Sequence, residues 1–290
     1  MRKMIRALSL IITLLLTQIA AFAWGDTGHM VVASIAYSQL KPAAKARVDR
    51  LIRLIRFQGK TYNYVTVATM LDDFRDDETK DNFKPWHFTN DPFFDGIAPF
   101  EIDSPGVNIE ERINFIVNSL KSGGAGSDLK NAMLVAYLFH LVGDIHQPLH
   151  TTRRYSEATP KGDQGGNLFL IQGPRRNLHS YWDAAGGLFG FEDVQRPLTT
   201  AGRRSITNYA FEARKAYPPS SPEWKDMDVS HWVKEGHDLA ISAVYDGIEQ
   251  HTRPSEEYQE RAQEVCRKRL AMAGYRLAQL LNEIYPGRAN

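Results

Sequence analysis

The run MLVAYLFHLVGDIHQPLH, residues 133–150, constrains the fold more than any other stretch of the chain. It is apolar enough to be a buried helix, yet it carries His140 and Asp144 four residues apart. At that spacing both side chains project from one helical face, about one turn from each other. Burying an imidazole and a carboxylate without partners costs several kcal/mol. A cation removes that cost, and a nitrogen and an oxygen aimed at one point are what a zinc site uses. The same spacing recurs at His179 and Asp183 in NLHSYWD, and His150 follows Pro148, which ends the helix and turns the chain back. His29, Asp72 in ATMLDDFR and His87 in KPWHFTND add further ligand types. His146, between the candidates, is read as a supporting or packed residue rather than a ligand. Each residue alone is weak evidence, since a lone buried His is usually a core residue and a lone Asp near a helix end is usually a cap. The number of coincidences carries the argument.

Helical periodicity recurs along the chain, over 27–40, 42–56 with Pro42 at a start position, 109–121, 128–146, 228–250 and 256–284. Loops fall at 81–108, 151–177 and 216–223, and the loop at 160–172 has room for a short hairpin. The expected architecture is all-α, a single mostly helical domain with long loops. With 290 residues, 43% of them hydrophobic, the chain can build a real core, which excludes disordered, coiled-coil and collagen-like classes. Its formal charge of +1 argues against a protein that coats nucleic acid through bulk basicity. The one cysteine, Cys266, rules out an internal disulfide framework and is expected to be a half-buried free thiol.

Arg2, Lys3 and Arg6 precede an apolar run from Ala7 to Ala23 that ends in the small-x-small signature Ala21-Phe22-Ala23. Residues 1–23 are read as a secretory signal peptide and 24–290 as the mature domain, secreted or periplasmic and without a membrane anchor. Cleavage removes three of the 35 basic residues and none of the 34 acidic ones, so the net charge moves from +1 to −2. It also exposes the Trp24 α-amine, which titrates near ~7.7 and can bind a metal together with its own carbonyl.

The motifs WGDTGH, ATMLDDFR, WHFTN, HLVGDIHQPLH, GGN at 165–167 and NLHSYWD, in this order, resemble the S1/P1 nucleases over most of the mature chain. These are zinc-dependent secreted endonucleases of a mostly helical fold, related to the zinc phospholipases C. The resemblance implies three Zn2+ ions. Asp72, His87, His140 and Asp144 would hold one, and Trp24, His29 and the shared Asp144 a second. His150, His179 and Asp183 would hold a third, more open to solvent. All nine ligand positions of the family pattern are filled here by the expected residue type. The resemblance further implies hydrolysis of phosphodiester bonds in single-stranded DNA and RNA to 5′-phosphate products, and leaves open a 3′-nucleotidase activity on nucleotides. Arg75 resembles the family arginine that steadies phosphate charge in the transition state; the bland alternative is an ion pair with Asp72 or Asp76. Asp72, Arg75 and Asp144 are the candidate catalytic residues. Phe88 stands where the family stacks a base, Asn90 where it contacts the base edge, and Asn167 where it reaches base or phosphate, with Gly165 and Gly166 allowing close approach.

Two other readings compete. A zinc phospholipase C would share the scaffold and the N-terminal tryptophan; Asp183, Arg75 and GGN favour the nuclease. A non-catalytic, zinc-stabilised helical binding protein would leave Arg75 and Asn167 without a reason to match. No stable protein partner is implied. His231, His237 and His251 are read as surface or packing residues, and Trp86 and Trp182 as core.

Overall fold

Local cap chemistry starts most of the helices. The computed structural model describes residues 24–74, 78–102 and 106–287. Helix α1 (Asp26–Ser38) is followed by α2 (Pro42–Ile52), which opens on the proline whose fixed φ suits a first turn. A two-residue hairpin, β1 (Arg56–Phe57) with β2 (Lys60–Thr61), leads to the short α3 (Met70–Asp73) and then to β3 (Asp91–Phe94). Helix α4 (Ile109–Lys121) is capped by Asn108, which accepts from Glu111 N at 3.0 Å. Ser127 caps α5 (Asp128–Asp144). Strand β4 (Thr152–Tyr155) precedes α6 (Leu178–Asp183), where Asn177 Oδ1 accepts from Ser180 N at 2.8 Å. Helices α7 (Thr200–Ala216), α8 (Val229–Leu239) and α9 (Glu256–Ile284) complete the order, capped by Thr199, Asp228 and Ser255. The all-α expectation holds.

The core lies between α1, α5 and α9. Val32, Ala33 and Ala36 of α1, Leu138, Phe139 and Leu141 of α5, and Leu270, Ala273 and Leu277 of α9 are all solvent-excluded. The crossing of α1 on α9 is close: a β-carbon on Gly274 would stand 2.3 Å from Ile35 Cγ2. Helix α9 also holds the end of α5, because Arg269 Nε donates to the His146 carbonyl at 3.0 Å.

The structure departs from the periodicity in four places. The helix expected to reach residue 56 ends at Ile52, and the antiparallel hairpin follows at 56–61 rather than falling at 160–172. The 160–172 segment has turns and contributes Leu170 to a single antiparallel bridge with Asn177. The helix expected over 228–250 is regular only to Leu239 and passes into a π-turn at Ala240–Val244. Helix α7 was not anticipated. Its inward face is only Ile206, Ala210 and Ala213, too narrow an apolar stripe to show against its Thr, Ser, Asn and Gly content.

Strands β3 and β4 run parallel, with Asp91 opposite Thr152 and Phe94 opposite Tyr155. Both leave the same place in the same direction. His87 precedes β3, His150 precedes β4, and Thr89 N donates to the His150 carbonyl at 2.8 Å.

Candidate metal centre

Four segments converge at the end of α5. His140 and Asp144 lie one turn apart on its buried face, α1 brings His29, α3 brings Asp72, and the turn before β3 brings His87. His29, His140 and Asp144 are fully buried, and Asp72 and His87 almost so. Asp144 divides its oxygens: Oδ1 lies 3.1 Å from His29 Nε2, while Oδ2 lies 3.1 Å from His140 Nε2 and 3.0 Å from His87 Nδ1. Asp72 Oδ1 stands 3.8 Å from His140 Nε2 and 3.9 Å from His87 Nδ1. The rings of His29 and His140 stack at 4.0 Å.

Hydrogen bonds to carbonyls fix the direction of the lone pairs. His140 Nδ1 donates to Ala68 O at 2.6 Å, so Nε2 is the ring nitrogen that faces Asp144 Oδ2 and, 3.1 Å away, His87 Nδ1. Lone pairs facing lone pairs repel unless a proton or cation stands among them. His29 Nδ1 and His87 Nε2 are moreover buried without a hydrogen-bond partner among the described residues. Such atoms are costly in a native core, and a cation between them removes the cost. The residues therefore fit a metal.

A second cluster, separate from the first, shows the same pattern more simply. His150 Nδ1 donates to His87 O and His179 Nδ1 donates to Gly165 O, both at 2.6 Å. The two Nε2 atoms then face each other across 3.2 Å, with Asp183 Oδ2 at 3.5 Å from that of His179. Across both clusters three groups can hold a metal ion: His29–His140–Asp144, Asp72–His87–His140 and His150–His179–Asp183.

The protein's own charges reflect this crowding. Burial pushes His29 and His150 below the usual imidazole range. Burial also pushes His140 down, but the Asp144 and Asp72 carboxylates outweigh it and carry it up to about 9. Burial would raise Asp144, yet His140, His29 and His87 hold it well below the usual carboxylate range. Asp183, with less compensation, is pushed well up by burial.

The second cluster also explains the glycine doublet, in a way the sequence did not suggest. Gly165 (φ 60°) and Gly166 (φ 80°) need the left-handed region, and a β-carbon on Gly165 would stand 2.6 Å from Leu149 O. The doublet lets its loop lie against Leu149 and His179. Asn167 turns Nδ2 back onto Gln164 O at 2.9 Å. Phe88 and Asn90 are half-buried beside His87. Trp24 is buried, with its indole N–H on Gly143 O at 2.9 Å. Arg75 and Asp76 lie outside the described residues, as does the segment 1–23.

His146, read from the sequence as a supporting or packed residue, donates Nδ1 to Val142 O and accepts from Arg276 Nη1 at 3.0 Å, so it supports the end of α5. One neighbour carried no clear sequence signal. Arg196 bonds Asp26 through Nε at 2.6 Å and Asp73 through Nη1 at 2.9 Å, joining the residues beside Trp24 and Asp72. The remaining histidines behave as expected: His231 is exposed and pairs with Asp226, His237 touches Thr152 Oγ1, and His251 is exposed. Trp182 is core, whereas Trp86 is only half-buried beneath Arg112, and Cys266 is fully buried rather than half-buried.

A helical scaffold with clustered His and Asp side chains of this kind is one that can hold metal ions. Residues 24–286 match the S1/P1 nuclease family, and the chain belongs to that family. It is a nuclease. Nuclease S1 of Aspergillus oryzae is 29% identical to it, over 94% of this chain and 95% of that protein. Endonuclease 3 of Arabidopsis thaliana is 25% identical, over 95% and 94% of the two chains. Nuclease P1 of Penicillium citrinum is 22% identical, over 90% and 98%. No helix among the described residues is long and apolar enough to cross a membrane.

Proposed function

We propose that the chain is a secreted, zinc-dependent endonuclease that hydrolyses single-stranded DNA and RNA to 5′-phosphate products, with 3′-nucleotides as further substrates. The observation that carries this reading is the convergence of buried His and Asp side chains in three groups that could each hold a metal ion. Asp72, His87, His140 and Asp144 would hold one ion and His150, His179 and Asp183 another. His29, Asp144 and the amine and carbonyl of Trp24 would hold the remaining one. This last assignment requires cleavage between Ala23 and Trp24, which makes 1–23 a signal peptide and 24–290 the catalytic domain, exported to a periplasm or beyond the cell. Two His/Asp groups that meet at His140, and a third built from His150, His179 and Asp183, support three zinc ions. Zinc bound there supplies a nucleophilic water at neutral pH and neutralises phosphate charge.

The chain's own residues do the rest. Asp144, with its oxygens aimed at two sets of imidazoles, holds the two halves of the first cluster in fixed register. The carbonyls of Ala68, His87 and Gly165 accept from Nδ1 of His140, His150 and His179 and so turn each Nε2 toward its cluster. Arg75, which resembles the family arginine, would offset charge on the phosphate. Phe88 offers a face on which an unstacked base can lie, which favours single strands. Asn90 and Asn167 meet base or phosphate edges. The phospholipase C and non-catalytic readings lose their ground, because full-length relatives are named nucleases.

The test follows mononucleotide release from single-stranded DNA and RNA by the chain beginning at Trp24, before EDTA, after EDTA and after zinc is restored. Loss with chelator and recovery with zinc are expected. No release by folded, zinc-loaded protein would overturn the reading and direct the next assay to phosphatidylcholine.

A further inference from the structure

Gln147 is fully buried between the two clusters. Its Oε1 accepts from Leu149 N at 2.6 Å, and an N–H can only meet an acceptor, so the amide orientation is settled. Nε2 therefore faces Asp183 and donates to Oδ1 at 2.7 Å, while Asp183 Oδ2 faces His179 Nε2 at 3.5 Å. The Gln147 backbone N–H donates to Asp144 O at 2.9 Å, so the same residue is fastened to the end of α5.

We propose that Gln147 is the positioning residue of the His150–His179–Asp183 ion: by occupying Oδ1 it makes Asp183 a single-oxygen ligand through Oδ2. The inference rests on reading those three residues as metal ligands. An amide donor suits this task because it carries no charge into a buried site and cannot compete as a cation. Without it, Asp183 is free to rotate about its last torsion, and its buried Oδ1 loses its bond to the amide. Hydrogen bonds behind a metal ligand commonly change metal affinity ~10–100-fold.

Two substitutions separate positioning from simple support. Gln147→Glu keeps an oxygen for Leu149 N–H but replaces the donor toward Asp183 with an acceptor. Gln147→Met keeps the length and removes both bonds. The measurements are zinc per chain and the zinc affinity of each class of site, by chelator competition, alongside thermal melting. Both variants are expected to keep two ions with wild-type affinity and to hold the third ~10–100-fold more weakly. In an Asp183→Ala background, Gln147→Met should weaken the third ion no further. Wild-type affinity for the third ion in both variants would overturn the proposal, as would uniform weakening of all ions with a lowered melt. A wild-type chain that itself holds no ion at His150–His179–Asp183 would instead overturn the ligand reading beneath it.

Discussion

Gly143 and His29 touch so closely that a β-carbon on the glycine would stand 2.8 Å from the imidazole Nδ1. No β-carbon fits there unless the His29 imidazole, or α1 that carries it, shifts away from α5. Gly143→Ala should therefore disturb the first cluster rather than the fold at large. Overpacking of this kind costs about 1–3 kcal/mol. We expect one ion fewer per chain, with His150, His179 and Asp183 still loaded. Full metal content in a folded Gly143→Ala chain would show that α1 yields without cost.

Metal removal should destabilise the whole domain, because the ligands come from α1, α3, α5, α6 and the turns before β3 and β4. A ligand held at 1,000 times its dissociation constant stabilises the native state by ~4 kcal/mol. For a domain of this size each kcal/mol moves Tm by roughly 2–4 °C. Stripping the ions should lower Tm by more than ~10 °C, and zinc should restore it. An unchanged melt after verified zinc removal would contradict this.

The site was largely legible in sequence because its residues announce themselves: imidazoles and carboxylates at helical spacing inside an apolar run have few bland explanations. His140 with Asp144 and His179 with Asp183 meet as the spacing implied. What was hidden depends on contacts between segments far apart in sequence. Gln147 looks like an ordinary polar residue until Asp183 is brought beside it, 36 residues on. Gly165 and Gly166 suggested a close ligand, yet it is Leu149 and His179 that approach them. Helix α7 was missed because most of it faces solvent, so its periodicity is faint.

The N-terminus offers a chemical test of the Trp24 assignment. An amine can donate a lone pair to a metal, whereas an amide nitrogen is a poor donor. A chain with one extra residue before Trp24 should lose one ion, with an affinity change on the order of 10–100-fold, and most of its activity. Equal metal content and activity in the blocked and free forms would remove Trp24 from the ligand set.

Acid should weaken the support behind α5 through Glu235. This carboxylate accepts from Arg269 Nη1 at 2.6 Å and from Arg276 Nη1 and Nη2 at 2.7 Å each. Burial alone would raise its pKa, but the two arginines reverse that and hold it below the usual glutamate value. A lowered folded pKa gives stability that is present above the unfolded value and is lost as pH falls through the folded one. Glu235→Gln should therefore cost stability at pH 7, by roughly 1–3 kcal/mol for weakening charge-assisted hydrogen bonds to two buried arginines. The gap from wild type should begin to narrow below the ordinary glutamate value of 4.5 and close as pH falls through the lower folded one. Urea unfolding at both pH values checks this; a gap that is constant with pH would mean the charge is not responsible.

Phe88 should act on binding rather than on metal or fold. Its backbone is fixed on both sides: His87 before it is a ligand candidate whose carbonyl holds His150, and its own carbonyl accepts from Ile109 N at 3.2 Å. The ring is half-buried, so one part packs while the rest is available to a base. Base stacking on an aromatic side chain is worth ~1–3 kcal/mol, which corresponds to about 5–150-fold in affinity. Phe88→Ala should raise KM on single-stranded DNA within that range and leave zinc content unchanged. Phe88→Tyr should retain most of the affinity, because the stacking face is kept. If Phe88→Ala instead lowers kcat with KM unchanged, the ring shapes the metal centre through His87 and does not bind the base.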